Sequence, residues 1–553
     1  MIKTASMIKA RAYIYKEHME SAILSIAKSR VLHQTDALEA LKDFEPKVKA
    51  VESSERLFKA TSIISRIQAL LSNVEETPEP SIPELKVLNN EEIDSIDQRL
   101  SEVEQKYAVS GEVDKRPTLS NEDLHKLLLW KRQLEATRLV EEAKSKCAQT
   151  EKTFIIEGWI PKDKKEKFEN AVIEGSKGYC VTSYLLPAQI GGHSQELAES
   201  PPTLIRNPKI AFVYEKLVTG FGIPNYFEID PTIFMTFSFP LIFGLIFGDV
   251  GHGLILLVLS LLLFTANKKG VRAPELFEYI IKGSPLLVMC SASSIFFGFL
   301  YGEMFGSEEY YHIIDELIHH NVGVSSHEIV EKVSKNIELT LSSIAGFSIP
   351  VPFPFSPFDH PTLLLLVSLY VAMLHITFGL VLGLINELRR ENYLEAIVGP
   401  GLWLWFYLSF AYLLLKYKSG IFSAVFQDIN ILGVYIALPA CIMILARASV
   451  HGIDGFGHAL ESLISSLSNS ISYGRILALA VAHAAFSKIL LMMLEFEGIF
   501  AIVGWLMWAV FTFLLILCFE CLLSFIHTLR LHWVEWFLKF YTGDGYKYEP
   551  LKI

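Results

Sequence analysis

The chain has 553 residues, 51% of them hydrophobic, and carries 49 lysines and arginines against 60 aspartates and glutamates, a net charge of −11. That acidic balance argues against general nucleic-acid binding, and the apolar content is out of place in one soluble protein. Six scattered cysteines (147, 180, 290, 441, 518 and 521) predict neither a disulfide framework nor a zinc site, and no metal or cofactor site is expected.

The average hides two unlike halves: residues 1–225 are charged and mixed, and residues 226–553 are dominated by long apolar runs. The start, MIKTASMIKARAYIYKEHMES, has no apolar core of signal-peptide length, which places the first domain in the cytoplasm. Ala10–Tyr15 reads as a strand, followed by a helix and a return towards Val31 and Gln34. A helical stripe of Leu38, Leu41, Phe44, Val48 and Val51 continues through Leu57, Ile64, Ile67 and Leu71, until three prolines in ETPEPSIPEL stop it. A second stripe (Ile93, Ile96, Leu100, Val103, Tyr107) breaks near Gly111 and Pro117 and resumes from Ser120 to Cys147. Two antiparallel arms of a long coiled coil over residues 36–147 are expected. Strand Thr153–Trp159, helix Lys162–Glu174 and strand Gly178–Leu185 then join residues 9–35 in a small α/β lobe. The expected fold is therefore mainly α, with this lobe and coil ahead of a transmembrane domain.

Eight runs free of acidic and basic residues follow: 231–248, 250–267, 283–302, 361–386, 396–415, 429–446, 462–487 interrupted by one arginine, and 498–519. Each is long enough for a hydrocarbon core of about 30 Å, so eight spanning helices are expected. The first two, separated by Asp249 beside Gly251 and Gly253, predict a tight helical hairpin. NKKGVR, Arg389 with Arg390, and Arg447 lie after even-numbered crossings, which puts both termini on the cytoplasmic side. Residues 457–495 continue without a strong breaker, about 58 Å of helix. The last two helices are therefore expected to be long and tilted. The Cys518–Cys521 pair, flanked by LLIL and LLSF, reads as packing in one of them.

The charge inside the 462–487 run is Arg475, with 13 residues of the run before it and 12 after. A guanidinium near the bilayer midplane is expensive and by default functional, since snorkelling suits helix ends. At about 100° per residue, Ser472, Ser468, Ser465 and Glu461 fall within about 60° of one another, so that Arg475 heads a polar stripe. Ala478, Leu479 and Ala482 continue that face without donors, and His483 stands one residue off it. On the final helix Glu520 closes an apolar run, with Ser524, His527 and Arg530 at helical spacing. Asp249 and His252 are either polar contributors or simply the turn of the first hairpin.

SYGRILALAVAHAAFS, around Arg475, resembles the arginine-bearing helix of the membrane-embedded stator subunit (subunit a, or subunit I) of V-type and archaeal A-type rotary ATPases. HTLRLHWVEWFLKFYTGDGYKYEP at 527–550, FGDVGHG around Asp249, and EGWIP at 157–161 followed by PPT at 201–203 resemble the same family. Glu461, His483 and Glu520 stand at the family's spacings from its two arginines, here Arg475 and Arg530. The resemblance implies partners: an oligomeric proteolipid ring, peripheral stalks, and the central stalk and catalytic head of the same complex, with the lipid bilayer around them. It implies ion flow through two offset half-channels, Glu461 and the serines serving one, Glu520 with His483 and His527 the other, and Arg475 between. Proton and Na+ are both compatible, because the ion ligands belong largely to the ring. No GxxxxGK[ST] is present, so nucleotide chemistry is expected on partner chains. The family's second α/β lobe, at the far end of the coil, is expected to be reduced or missing. A secondary transporter with a cytoplasmic coil is one competing reading, but the sequence has no repeat of the Arg475 segment, as that class often shows; a membrane anchor is another, and it leaves the midplane arginine and Glu520 unexplained.

Overall fold

The computed structural model describes residues 4–37, 49–50, 55–71, 85–108, 120–185, 200–271, 274–307, 356–417, 432–495 and 500–553. The linker of three prolines and most of the break in the second arm lie outside them, as does the long loop before residue 356. Two compact units are present: Ala5–Leu204 with Tyr546–Ile553, and Met1–Thr4 with Ile205–Gly545.

In the first unit, β1 (Met7–Tyr15) leads through α1 (Met19–Ser29) to β2 (His33–Gln34). Further on, β5 (Thr153–Pro161) leads through α5 (Lys165–Ser176) to β6 (Cys180–Leu185). The strands pair antiparallel in the order β6, β1, β5, β2, a split βαβ arrangement. Period-two alternation sends Ile8, Ala10, Ala12 and Ile14 of β1 into one core with Ile23, Ile26, Phe168 and Val172 of the two helices. On the opposite face Glu157 is fully buried and its charge is met by Lys9 at 2.6 Å and Arg11 at 2.5 Å. The end of the chain belongs to this unit as well: Leu551 N–H donates to Leu32 O at 2.8 Å. Burial pushes the Cys147 thiol up to about 12, which leaves that cysteine a packing residue rather than a nucleophile.

The helical stripe expected from Leu38 to Leu71 is interrupted. Lys49–Ala50 is a strand, β3, which pairs with β4 (Ala148–Gln149) on the sheet edge beside β5. The apolar spacing across it was compatible with a helix, but the neighbouring strand offered its backbone a ladder instead. Among the described residues, the segment expected to form the two-armed coil contains three helices: α2 (Glu55–Leu71), α3 (Asn90–Ala108) and α4 (Asn121–Ser145). Ile63, Ile64 and Ile67 of α2, Ile93, Ile96 and Leu100 of α3, and Leu127 and Leu134 of α4 form a single cluster.

The second unit is helical. Among the described residues, six helices are long and apolar enough to cross a membrane: α8 (Val250–Lys268), α10 (Ser284–Tyr301), α11 (Pro361–Arg389), α12 (Tyr393–Leu414), α13 (Gly433–Met492) and α14 (Phe500–Lys539). They are accompanied by α6 (Phe212–Phe221), α7 (Thr232–Ile246) and α9 (Glu275–Lys282). Of the eight expected runs, the first makes the 15-residue α7. The runs at 429–446 and around Arg475 are successive helices of α13, separated at Gly452, whose non-helical φ of 64° and ψ of −136° suit a residue without Cβ.

The expected hairpin of α7 and α8 also differs. Both helices pack chiefly on α10, because Asp249 is extended between them (φ −147°, ψ 130°) and caps α8 through its side chain. Close approach to α10 depends on Gly298, where an added Cβ would lie 2.4 Å from Val250 N and 2.5 Å from Asp249 C. Backbone cannot yield there as a side-chain tip can. Gly298→Ala is therefore expected to push α8 off α10 at a cost of about 1–3 kcal/mol, read as a lower yield of folded chain and a lower melting temperature in detergent. An unchanged melting temperature would remove this account of the packing.

Candidate functional site

Arg475 follows a local loosening of α13. Tyr473 (φ −71°, ψ −12°) ends one helical stretch, and Ile476 N–H reaches back only to Tyr473 O. The arginine side chain keeps 24% of its surface exposed, and one nitrogen donates at 3.0 Å to Glu535 Oε1, a carboxylate only 1% exposed. Glu535 lies in a π-helical stretch of α14, Leu531–Trp536. Glu520 ends the other π-helical stretch of that helix, Thr512–Glu520. Its carboxylate is hydrogen-bonded to His483 Nδ1 at 2.8 Å, both side chains being nearly buried. Thus α13 and α14 run antiparallel and meet through two polar rungs, Arg475 with Glu535 and His483 with Glu520. The wider turns matter, since a π-bulge re-aims side chains that follow it and is a frequent feature of functional helices.

On the N-terminal side of Arg475 the helix has two serine stripes rather than one. The buried stripe holds α12: Trp403 Nε1 donates to Ser466 at 2.8 Å, Tyr407 and Ser470 hydroxyls lie 3.0 Å apart, and Arg447 donates to Ser462 at 2.7 Å. The other stripe, Glu461, Ser465, Ser468 and Ser472, remains on the open side, with Glu461 and Ser468 exposed. Three openings line it in succession. A cleft of about 650 Å³ is bounded by Glu395, Arg447, Asp454, Glu461, Ser465 and Lys539. It shares Glu461, Ser465 and Asn469 with a second opening. That one shares Ile464 and Ser468 with a groove of about 700 Å³ that ends at Ser472 and Arg475. The last groove is mostly apolar, with Leu463, Leu467 and Ile471 on its rim. An open surface therefore runs from a cluster of acids and histidines to the guanidinium.

Beyond Arg475 the surroundings close. His483 stands against His252, their rings 5.4 Å apart and nearly perpendicular. His252 Nδ1 lies 3.2 Å from Asp249 Oδ1. The Asp249 carboxylate is held by backbone N–H groups of His252, Phe305 and Gly306 at 2.8–3.1 Å. Glu303, 1% exposed, accepts from Ser356 at 2.9 Å in the same neighbourhood. Asp249 and His252 thus face His483 across the fold as well as shaping a helix start.

The remaining candidates are less central. Ser524 is buried, with its carbonyl accepting from Thr528 at 2.7 Å. His527 is half-buried and Arg530 exposed, so neither joins the His483–Glu520 rung. Sequence spacing missed Glu535, although it stands in the quoted RLHWVEW, because the helical face was followed only as far as Arg530. It missed Glu303 and the buried His375, whose Nδ1 lies 2.7 Å from Tyr473 OH and whose ring stacks on Trp536 at 4.6 Å. An isolated ionisable group at the end of an apolar run was the available signal for Glu303.

A polar line thus leads to a part-buried arginine–carboxylate pair between two long apolar helices. The chain belongs to the V-type ATPase 116 kDa subunit family, matching it over residues 16–312 and 452–553. It is 25% identical to A-type ATP synthase subunit I of Methanocaldococcus jannaschii, over 74% of this chain and 56% of that protein. It is 28% identical to A-type ATP synthase subunit I of Methanothermobacter thermautotrophicus, over 85% of this chain and 62% of that one. Against human V-type proton ATPase 116 kDa subunit a 2 the identity is 24%, over 73% and 61%. The chain thus spans roughly three-fifths of the length of these curated relatives.

Proposed function

We propose that this chain is the membrane-embedded stator subunit of a rotary ATPase or ATP synthase, passing protons or Na+ to a rotating proteolipid ring and tied through its N-terminal domain (residues 1–225) to peripheral stalks. Both termini face the cytoplasm, and the catalytic head and central stalk are partner chains. The observation that carries this reading is the change in accessibility at Arg475: an open groove reaches it from the Glu461 side, and a buried cluster of Glu520, His483, Asp249 and His252 lies beyond.

The physical sequence follows from charge in a low-dielectric medium. A ring carboxylate facing lipid must be neutral, because an unpaired charge there is too costly. Opposite Arg475 the ionised form gains a fixed counter-charge, so the ring group gives up its cation at that position. Glu461, Ser465, Ser468 and Ser472 border the aqueous path on the cytoplasmic side. Glu520, relayed by His483, serves the external path, with Ser524 and His527 further along the helix and Arg530 towards its end. Arg475 lies between them and opposes a direct leak by repulsion. Glu535 holds the guanidinium from behind, leaving its other nitrogens for the ring.

Purifying the tagged full-length chain from its native membranes in mild detergent tests this reading. An oligomeric proteolipid and stalk subunits are expected in stoichiometric amounts. A chain that arrives alone and carries out solute-coupled ion uptake in liposomes would instead establish the transporter reading.

A further inference from the structure

The sequence predicted no metal site, yet Asp249, His252 and His483 each offer a ligand atom within 4.8 Å of the other two, and all three are buried. His252 Nδ1 lies 3.2 Å from the Asp249 carboxylate, and among the described residues His483 Nε2 is buried without a hydrogen-bond partner. Buried imidazole nitrogens are seldom left so, since an unmet polar atom costs about 1–3 kcal/mol. The cluster is also surplus in acid. Asp249, Glu303 and Glu520 surround two imidazoles, with Glu303 in electrostatic range of Asp249 and His483, and Lys488, a cation in range of Glu303, is one-third exposed.

We propose that Asp249, His252 and His483 form a binding site for a divalent transition-metal ion of the zinc class. The donor set of two imidazoles and a carboxylate, with water as fourth ligand, is the type such an ion takes. Tetrahedral ligands at 2.0–2.1 Å stand about 3.3 Å apart, so an ion would draw together donor atoms that now lie within 4.8 Å of one another. The supports around the ligands fit too. Glu520 holds His483 Nδ1 at 2.8 Å, which fixes the ring and leaves Nε2 for the ion, and backbone N–H groups of Phe305 and Gly306 fix Asp249. A carboxylate behind a ligating histidine is the usual second layer of a metal site.

The site itself rests on this geometry. Its consequence rests on the proposed path through His483: a bound cation engages the ring nitrogen that a proton relay needs, so zinc acts as an inhibitor from the external side.

The test uses the purified full-length chain in detergent, with ZnCl2 and CoCl2 as probes. One zinc per chain is expected after dialysis against weak chelator, together with the visible absorption band of Co2+ in a four-coordinate site. His252→Gln and Asp249→Asn should each abolish the band. Glu520→Gln should weaken zinc binding by about 10–100-fold, as loss of such a supporting carboxylate does, while His18→Gln, in the N-terminal unit, should leave it unchanged. Should Asp249→Asn fail to fold through loss of its capping role, the His252 and Glu520 variants still decide. Zinc retained at wild-type affinity in His252→Gln, or no stoichiometric zinc in the wild type, overturns the site. Ion flux of the intact complex in vesicles is measured alongside; stoichiometric zinc that leaves flux untouched upholds the metal site and counts against the path through His483.

Discussion

Arg475→Ala is expected to abolish coupled ion translocation while the complex still assembles. The arginine is the only lysine or arginine from 462 to 487, and its side chain is the meeting point of the open groove and the Glu535 carboxylate. Truncating one side of a buried, hydrogen-bonded charge pair costs about 2–5 kcal/mol, the lower end applying to this part-buried pair, and each ~1.4 kcal/mol is a factor of ten. ATP-driven flux in reconstituted vesicles should therefore fall by well over an order of magnitude. Arg475→Lys is expected to fail as well, because an ammonium lacks the fork that serves Glu535 and a second carboxylate together. Glu535→Gln separates holding from conduction: it keeps a hydrogen-bond acceptor but not the counter-charge, so flux should drop by less than in Arg475→Ala. Combining it with Arg475→Ala should add little, since both act through one pair. Near wild-type pumping by the alanine variant would remove the central role given to this residue.

The second large effect concerns Glu520. If it relays ions, Glu520→Gln retains size and hydrogen bonding yet loses the titratable group, and flux per assembled complex should fall about 10²-fold, the lower range for a positioned proton-transfer group. Glu520→Asp should retain more, its acid being one methylene shorter in reach. Glu520 is paired with His483 rather than Arg530, so the informative partner is the histidine. His483→Gln and Glu520→Gln should be non-additive in flux, whereas Arg530→Gln should act independently. If the pair serves only to pack α13 on α14, the yield of assembled complex drops and flux per complex stays normal. Proton flux and complex yield, measured together on the four single variants and the double variant of Glu520 and His483, separate the two accounts.

Much of this molecule was legible in advance where one local pattern had one stable outcome. The strands at Met7–Tyr15 and Thr153–Pro161 alternate with period two, and each is followed by a helix of the right length to return the chain. Arg475, His483 and Glu520 stood out because ionisable groups in apolar runs have few structural excuses. The misreading at Lys49–Ala50 has a physical origin: that segment is a strand because β4 is beside it, an outcome not encoded in the spacing of the apolar residues themselves.

The sequence by itself determined that this chain has an acidic, mixed first half, an apolar second half with charges placed singly within it, and a family membership carried by short motifs. Those properties follow from composition and from spacing along one helix or strand. Only the tertiary structure decided which charges meet. Glu535 reaches Arg475 across 60 residues of sequence and Glu520 reaches His483 across 37, through π-helical turns that shift the register of α14 away from the 3.6-residue period. Asp249 and His252 join His483 because Gly298 brings α8 onto α10. Pair choice in a low-dielectric interior is set by distance and by the backbone that delivers each side chain, and those are properties of the packed helices.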